Sequence, residues 1–299
     1  TPKPSSAASD VYKRQELSDQ QNFEKCGICC FMYQRHRLRS EQTAGGGAVS
    51  FNKDHVNGIV YGTAVDSNDR LAHQVLRVYL SRKGNTLDAE CTGTAITKRV
   101  ILTAAHCFFD SGKEIAAAAI EIPGTKELIR FKKWKIEKGY EYYGKQTYLS
   151  SDEIRLADRY DMALGVLDKE LPSSVKITKL YNGMSSFDQN AIVIAGYGLT
   201  EDDIGEGDAG SLHKGFGSSA HADLSYTVLF DVNFSLSAGS PSHACFGDSG
   251  GPAFVVTENG ELQQIGIDVS GSRYCRGINN YVSTYCLLYT SDAADEGLG

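Results

Sequence analysis

The sequence predicts an all-β fold with many turns. Its apolar runs are short and rich in Val, Ile and Thr, which is typical of strands rather than of long helices. The chain has 31 glycines and 16 tyrosines among its 299 residues, and frequent glycine favours tight turns between short elements. With 41% hydrophobic and 22% charged residues, the composition is that of a globular protein with a sizeable core.

Individual strands can be assigned along the chain from these runs. One run, residues 116–122, fits a strand, although the alanines at 116–119 fit a helix equally well. Residues 140–159 are polar and rich in tyrosine, which predicts a surface loop. The clearest strand predictions are residues 75–80, 92–103 (strand, turn and strand), 128–136, 191–195, 254–257 and 264–269.

Charge and hydropathy argue against several classes of partner. The formal net charge is −7 and there is no basic block, so neither nucleic acid nor an anionic membrane surface is indicated. No apolar run approaches the roughly 20 residues that a membrane helix requires. Residues 27–33 are too short and too polar in their flanks for a signal peptide, so secretion has to be argued from other features.

The first 58 residues differ in composition from the rest of the chain. Residues 1–9 are rich in Ser, Ala and Pro, and residues 43–49 are mostly Ala and Gly, so we expect a leader without a core of its own. Cys26 and Cys29 form a lone CxxC motif without the further ligands of a zinc site. The stretches 11–15 and 286–296 resemble translated sequencing-adapter read-through, so residues 1–15 and 285–299 are excluded from the prediction of the fold; a genuine variable tail is the alternative.

The most informative stretch is Cys245-Phe246-Gly247-Asp248-Ser249-Gly250-Gly251-Pro252. A serine hydroxyl is a poor nucleophile at neutral pH unless a base accepts its proton and hydrogen-bond donors hold the oxyanion. Glycines on both sides of Ser249 leave room for a substrate. Gly247 allows backbone torsions that direct the amides of Gly247 and Ser249 toward one point. The stretch therefore predicts a nucleophile with an oxyanion hole.

A histidine and an acid stand upstream, each beside an apolar run. They are His106 in Leu102-Thr103-Ala104-Ala105-His106-Cys107 and Asp161 in Asp161-Met162-Ala163-Leu164. With their TAAHC, DxAL and GDSGGP motifs, in the order His, Asp, Ser, these three stretches resemble the chymotrypsin/trypsin family of serine endopeptidases. The order differs from those of subtilisins and α/β-hydrolases.

The resemblance implies two antiparallel Greek-key β-barrels packed face to face, with the catalytic cleft between them. It also implies that His106 is the general base, that Asp161 orients it, and that Ser249 is the nucleophile. No cofactor and no metal are expected. Proteins or peptides are the expected substrates, and the expected state is a monomer. The peptidase domain is assigned to residues 59–284.

The family likewise implies two disulfides. Cys91 with Cys107 matches a bridge that flanks the histidine. Cys245 with Cys275 matches a bridge at the loop that carries Ser249, residues 245–252, which we call the serine loop. Both bridges require an oxidising compartment, so we expect a secreted, extracellular protein. Four reduced core thiols are the alternative.

Ile59-Val60-Tyr61-Gly62 resembles the mature N-terminus of the family. There, cleavage frees an ammonium group that pairs with the aspartate beside the nucleophile, which is Asp248 here, and drives the oxyanion loop into its working shape. This implies a zymogen and an activating protease. Gly58 precedes Ile59, which does not suit a trypsin-like activator. The alternative is that Ile59 and Val60 simply begin a strand.

Substrate-binding residues can also be carried over from the family. Ser270, Gly271 and Ser272 match the segment that pairs with the substrate backbone, and Ser270 is expected to support the catalytic aspartate. Asp158 is interpreted as an acid without the apolar run that would bury it. Gly196-Tyr197-Gly198 resembles the GWG turn of the family, with tyrosine in place of tryptophan.

His243 stands six residues before Ser249, where trypsins have aspartate at the floor of the primary pocket. A preference for Arg or Lys is therefore not expected. A neutral His243 would accept apolar or polar side chains, and protonation below about pH 6.5 would favour acidic ones. Whether Ile278 or Asn279 lines the pocket stays open.

The predicted function is hydrolysis of peptide bonds through an acyl-enzyme. The alternative is a non-catalytic binding protein on the same fold, which would hold a partner in the cleft or at the acidic, Gly-rich segment 201–210. That segment lacks the ligand spacing of a calcium loop and is predicted to be a solvated turn.

Overall fold

Antiparallel strands form two large sheets in the computed structural model. The structure describes residues 59–82, 89–200, 210–230, 233–272, 274–285 and 287. Apart from Leu287, these residues belong to one unit, His55–Tyr285. The predicted leader with its CxxC motif, most of the acidic segment and most of the C-terminal tail lie outside the described residues.

Strands occur at each of the predicted runs, and the structure has further strands that were not predicted, at 63–64, 109–110, 113–114, 163–167, 213–217, 233–236 and 279–283. In chain order the strands are β1 Thr63–Ala64, β2 Val75–Ser81, β3 Ala89–Ala95, β4 Val100–Thr103, β5 Phe109–Asp110, β6 Lys113–Glu114, β7 Ala117–Glu121, β8 Leu128–Ile136, β9 Ala163–Leu167, β10 Ile192–Gly196, β11 His213–Gly217, β12 Asn233–Leu236, β13 Pro252–Val256, β14 Leu262–Ser270 and β15 Asn279–Ser283. The segment at 116–122 is a strand, and the helical alternative for its alanines is wrong. β7 pairs with both β2 and β8, so its alanines are held in a ladder on either side.

The first sheet is a closed barrel in the order β2-β3-β4-β9-β8-β7. Alternate residues of β2, namely Leu76, Val78 and Leu80, are buried, as period-2 patterning requires. In β8 the register shifts between Phe131 and Lys133, as at a β-bulge.

The second sheet has the order β1-β11-β10-β13-β14-β15-β12. It curls until β12 meets the chain that follows β11. There Ser219 forms an isolated bridge with Leu236, and the amide of Ser237 donates to the carbonyl of Ser218 at 2.8 Å. The expected fold of two antiparallel barrels is therefore confirmed, with the second barrel closed by irregular hydrogen bonds rather than by a continuous ladder.

The prediction of a surface loop at 140–159 is wrong in part. Two short helices lie in this stretch: α1, Lys138–Gly144, and α2, Ser151–Ala157. Ser150 and Glu153 form a capping box, in which the Glu153 carboxylate accepts from the Ser150 amide at 2.9 Å and the Glu153 amide donates to the Ser150 hydroxyl. A 3₁₀ turn, Asp158–Tyr160, then leads to Asp161. The third helix is α3, Leu224–Phe230. Among the described residues, no helix is long and apolar enough to cross a membrane.

We expect Gly165→Ala in β9 to lower the free energy of unfolding by about 1–3 kcal/mol, because an added Cβ would lie 2.4 Å from the ring of Phe131 in a closely packed barrel. Urea unfolding of the purified variant measures the effect. Gly239→Ala is the matched control, since its Cβ would meet nothing closer than 3.6 Å and should change stability by less than about 0.5 kcal/mol. Equal midpoints for the two variants would contradict the described packing around β9.

Candidate active site

The pairing of β4 with β9 brings His106 close to Asp161. The two strands are antiparallel, and Thr103 at the end of β4 lies opposite Ala163 at the start of β9. His106 begins a 3₁₀ turn just after β4, and Asp161 stands just before β9. Register alone therefore places the imidazole and the carboxylate at the same edge of the first barrel.

Two hydrogen bonds fix the histidine. Asp161 accepts from the His106 backbone amide through Oδ1 and contacts His106 Nδ1 through Oδ2, each at 2.7 Å. Asp161 is 2% exposed, whereas the His106 side chain is 31% exposed. Because an ionised carboxylate can only accept, Nδ1 carries the proton and Nε2 is left as the basic nitrogen.

The surroundings raise the pKa of His106 above its ordinary value. Burial by itself lowers this pKa, but the charge of Asp161, its hydrogen bond to the ring and the charge of Asp158 outweigh the burial. The imidazolium form is thus stabilised where a base must accept a proton.

Ser249 lines the same cavity as His106. The cavity has a volume of about 400 Å³, and Gly247 forms another part of its wall. The serine loop is tied to both barrels. The Ser249 carbonyl accepts from the Thr92 amide at 2.8 Å, and the Gly250 amide donates to the Asp268 carbonyl at 2.7 Å. The loop is therefore held in a defined position beside the histidine.

The backbone at Gly247 has the geometry that the oxyanion prediction requires. Its φ is +100°, and a Cβ there would lie 2.8 Å from the Cα of Gly198, so the position suits glycine alone. The Gly247 carbonyl accepts from Thr92 Oγ1 at 2.9 Å, which fixes the loop backbone on its carbonyl side. Among the described residues, neither the Gly247 amide nor the Ser249 amide has a hydrogen-bond acceptor.

Both expected disulfides are present. Cys91 is bonded to Cys107 with a Cα–Cα distance of 6.4 Å, and Cys245 to Cys275 with 5.1 Å. The sulfurs of Cys91 and Cys107 lie near His106. Because they are bonded to each other, they are not available as thiolate ligands for a metal.

Asp248 is buried against the turn at 196–198. Its carboxylate accepts from the amides of Cys245 and Gly198, each at 2.8 Å. Burial raises the pKa of Asp248 to about 7, although these two hydrogen bonds act in the opposite direction. Ile59, its expected partner after cleavage, is 1% exposed and packs in the core of the second barrel.

The predicted substrate-binding residues differ in their burial. Gly271 is exposed and Ser272 is half-buried, whereas His243 is buried. Burial lowers the pKa of His243 and outweighs its hydrogen bonds with Gly277 and Asn279, which raise it. Protonation of His243, and with it a preference for acidic side chains of the substrate, would therefore require a pH lower than the expected 6.5.

Ser270 contacts a different acid from the one expected. Its hydroxyl donates to Asp158 Oδ2 at 2.6 Å, rather than to Asp161. Ser270 in turn accepts from Asn280 Nδ2 at 3.0 Å, and Asn280 Oδ1 accepts from the hydroxyl of Ser235 at 2.8 Å. The hydrogen bonds run from β12 through β15 and β14 to the first half of the chain.

The interpretation of Asp158 as an unburied acid is wrong. It is buried at the start of the 3₁₀ turn before Asp161. Burial raises its pKa; the hydrogen bond from Ser270 lowers it, the charge of Asp161 raises it, and His106 lowers it. Tyr140 and Asp268 also interact electrostatically with Asp158. The signal that could have indicated its role is its position three residues before Asp161.

We expect Asp158→Asn to lower the pKa of His106, because it removes a negative charge that stabilises the imidazolium. NMR titration of the His106 ring measures this directly and needs no catalytic activity. Asp152→Asn, an exposed acid on α2, is the control and should leave the titration unchanged. An unchanged His106 pKa in Asp158→Asn would contradict the electrostatic role of Asp158.

Comparisons with known proteins agree with this geometry. The model of the family described as Trypsin matches residues 59–289. The chain is 25% identical to phenoloxidase-activating enzyme 1 of Spodoptera litura over 70% of this chain and 59% of that protein. It is 28% identical to a trypsin-like protease of Streptomyces glaucescens over 67% and 73% of the two chains.

A solved structure of HL collagenase has the same fold, with a TM-score of 0.58 at 15% identity, covering 80% of this chain and 98% of the other. The family match spans most of the chain and includes all three predicted catalytic positions. This chain therefore belongs to the trypsin family, whose members are serine peptidases.

Proposed function

We propose that this chain is a serine endopeptidase that hydrolyses peptide bonds in proteins or peptides through an acyl-enzyme on Ser249. The observation that carries the proposal is that His106, which the buried Asp161 holds with two hydrogen bonds, lines the same cavity as Ser249. A buried carboxylate that orients a partly exposed imidazole beside a serine is the arrangement that activates a hydroxyl nucleophile.

In the first step, His106 Nε2 accepts the hydroxyl proton as Ser249 Oγ attacks the substrate carbonyl. The carbonyl oxygen becomes an oxyanion and accepts hydrogen bonds from the amides of Gly247 and Ser249. His106 then donates its proton to the leaving nitrogen, and the C–N bond breaks to leave an acyl-enzyme. Water, deprotonated by His106, attacks the ester, and the proton returns to Ser249 as the acid is released.

Asp161 orients the ring and stabilises the imidazolium in both steps. Its hydrogen bond to the His106 amide also fixes the backbone at the histidine. Neither role requires Asp161 to take up a proton.

Activation by cleavage before Ile59 is part of the proposal. Val60 pairs with His243, donating to its carbonyl at 2.9 Å and accepting from its amide at 3.1 Å, so the segment after the cleavage point is already docked on the second barrel. A new ammonium group on Ile59 would give the buried carboxylate of Asp248 a counter-charge. One relative is named for activating another enzyme, which is consistent with limited proteolysis in this family.

We also propose that the protein is a secreted monomer. Its two disulfides suit an oxidising compartment. The proposed substrate preference is not that of trypsin, because the buried and neutral His243 supplies no negative charge for Arg or Lys.

A fluorophosphonate probe tests the nucleophile. The full chain, with a specific protease site inserted directly before Ile59, should react at Ser249 after cleavage and much more slowly before it. Ser249→Ala should abolish labelling, since the probe reacts with a serine that a neighbouring base activates. Ser173→Ala, which changes an exposed serine outside the triad, is the control and should still be labelled. Labelling that persists in Ser249→Ala would contradict the assignment, and a cleaved chain that never reacts would favour the binding-protein alternative.

The uncleaved chain should lose stability as pH rises from about 4 to about 7, in part because of Asp248. Its pKa of about 7 in the folded chain, against 3.8 as the ordinary value, means that only the folded state keeps this proton in that range. Comparison of urea unfolding at pH 4.5 and pH 7 for the wild type and Asp248→Asn measures this contribution. The variant should show the smaller loss, whereas equal losses would contradict a protonated Asp248.

A further inference from the structure

Asn279, rather than Ile278, faces the interior beside the serine loop. Asn279 begins β15 and is 3% exposed, whereas the side chain of Ile278 is 49% exposed. A buried amide needs hydrogen-bond partners, and the partners of Asn279 define its surroundings.

The Asn279 amide spans the space between two walls. One wall is the segment 243–245, where Asn279 Oδ1 accepts from the Ala244 amide at 3.2 Å and Nδ2 donates to the Ala244 carbonyl at 3.1 Å. The other wall is the segment 270–272, where a Cβ added to Gly271 would lie only 2.5 Å from Asn279 Nδ2. The amide therefore contacts both walls and fills the gap between them.

His243 lies beside the Asn279 amide. Its ring is buried and hydrogen-bonds with Asn279 and with the backbone of Gly277, while Nδ1 has no partner among the described residues. The disulfide between Cys245 and Cys275 also joins the two sides. Asn279 and His243 therefore occupy the space between the two walls.

Under the proposed function, this space would receive the side chain of the residue that supplies the scissile carbonyl. Under that function the carbonyl oxygen would lie against the amides of Gly247 and Ser249, and the family resemblance implies that the substrate backbone on the acyl side pairs with 270–272. The side chain next to that carbonyl must then point between the two walls, where it meets the amide of Asn279.

The cavity that Ser249 lines lies on the side of His106. The cavity of about 400 Å³ is bounded by the disulfide of Cys91 and Cys107 next to His106, the residue that protonates the leaving amine. The described residues of segments 243–245 and 270–280 contribute nothing to its lining. Its apolar walls are Leu80, Phe109, Ile115, Leu199 and Phe246, with Arg82 and Glu90 as its charged lining residues.

We propose that Asn279 is a specificity-determining residue, which restricts the substrate residue before the scissile bond to Gly, Ala or Ser. Substrates are then selected by the residue after the bond, whose apolar side chain enters the cavity on the leaving-group side. This inference rests on the proposed function and names its substrate class. A hydrogen-bonded amide that spans a pocket excludes large side chains, because entry would leave two buried backbone groups of Ala244 unpaired.

The test is a cleavage-site profile of the activated full chain on a peptide library. The wild type should cut after Gly, Ala and Ser and should enrich Leu, Phe or Tyr just after the bond. Asn279→Gly should raise kcat/KM for otherwise identical peptides with Leu or Phe before the bond by about tenfold or more. Asn279→Ala, which keeps a Cβ, should give a smaller gain and serves if the glycine variant fails to fold. Asn190→Gly, an exposed asparagine, should leave the profile unchanged.

Labelling by a fluorophosphonate that carries no side chain separates this inference from the proposed function, because such a probe reports the reactivity of Ser249 and places no side chain against Asn279. If the wild type is labelled but cuts as well after Leu or Phe as after Ala, or if Asn279→Gly leaves the profile unchanged, the inference is overturned and the peptidase stands. A profile with no preference after the scissile bond overturns the role given to the cavity. If the activated wild type is not labelled at all, both proposals are overturned.

Discussion

Thr92 joins the parts of the site that come from the two barrels. Its amide donates to the Ser249 carbonyl, and its hydroxyl donates to the Gly247 carbonyl and accepts from the Tyr197 amide at 3.1 Å. Its own carbonyl accepts from the Thr103 hydroxyl at 2.8 Å, at the end of the strand that leads to His106. One fully buried residue of β3 thus links the nucleophile loop to the histidine, and a shift of this strand would move both.

Buried acids set the electrostatics around this link. Asp158, Asp161, Asp248 and Asp268 are all buried, and the pKa of Asp268 lies well above its ordinary value because of burial and the charges of the other three. Buried carboxylates are unfavourable unless they are paired or protonated. Asp158 and Asp161 both stabilise the imidazolium form of His106, whereas Asp248 accepts from two backbone amides and would gain a positively charged partner if a new terminus formed at Ile59. The same physics thus favours a protonated catalytic histidine and makes the nucleophile loop sensitive to cleavage.

Much of the site could be predicted because its chemistry is contained in short contiguous motifs. The glycine at 247 follows from its own motif, whereas the disulfide pairs follow from the family resemblance, and the structure has the corresponding backbone and bonds. The sequence also contains a helix signal for α2 that was missed, the capping-box pair of Ser150 and Glu153, because the polar composition of the stretch resembles that of a loop. The sequence did not show that Asp158 is buried, and it did not decide between Ile278 and Asn279 as the pocket residue, because the burial of Asp158 and Asn279 depends on other parts of the chain: on Ser270 in β14 for Asp158, and on the segment 243–245 for Asn279.

We propose above that Ser249 becomes covalently acylated by a peptide carbonyl, with His106 as the base. Mass spectrometry of the activated protein, quenched in acid during turnover of an ester or peptide substrate, detects this acylation. We expect one acyl group per chain, carried on the peptide that contains Ser249, and no adduct when His106 is replaced by alanine. An adduct on another residue, or turnover without any adduct on Ser249 under conditions where deacylation is slow, would contradict it.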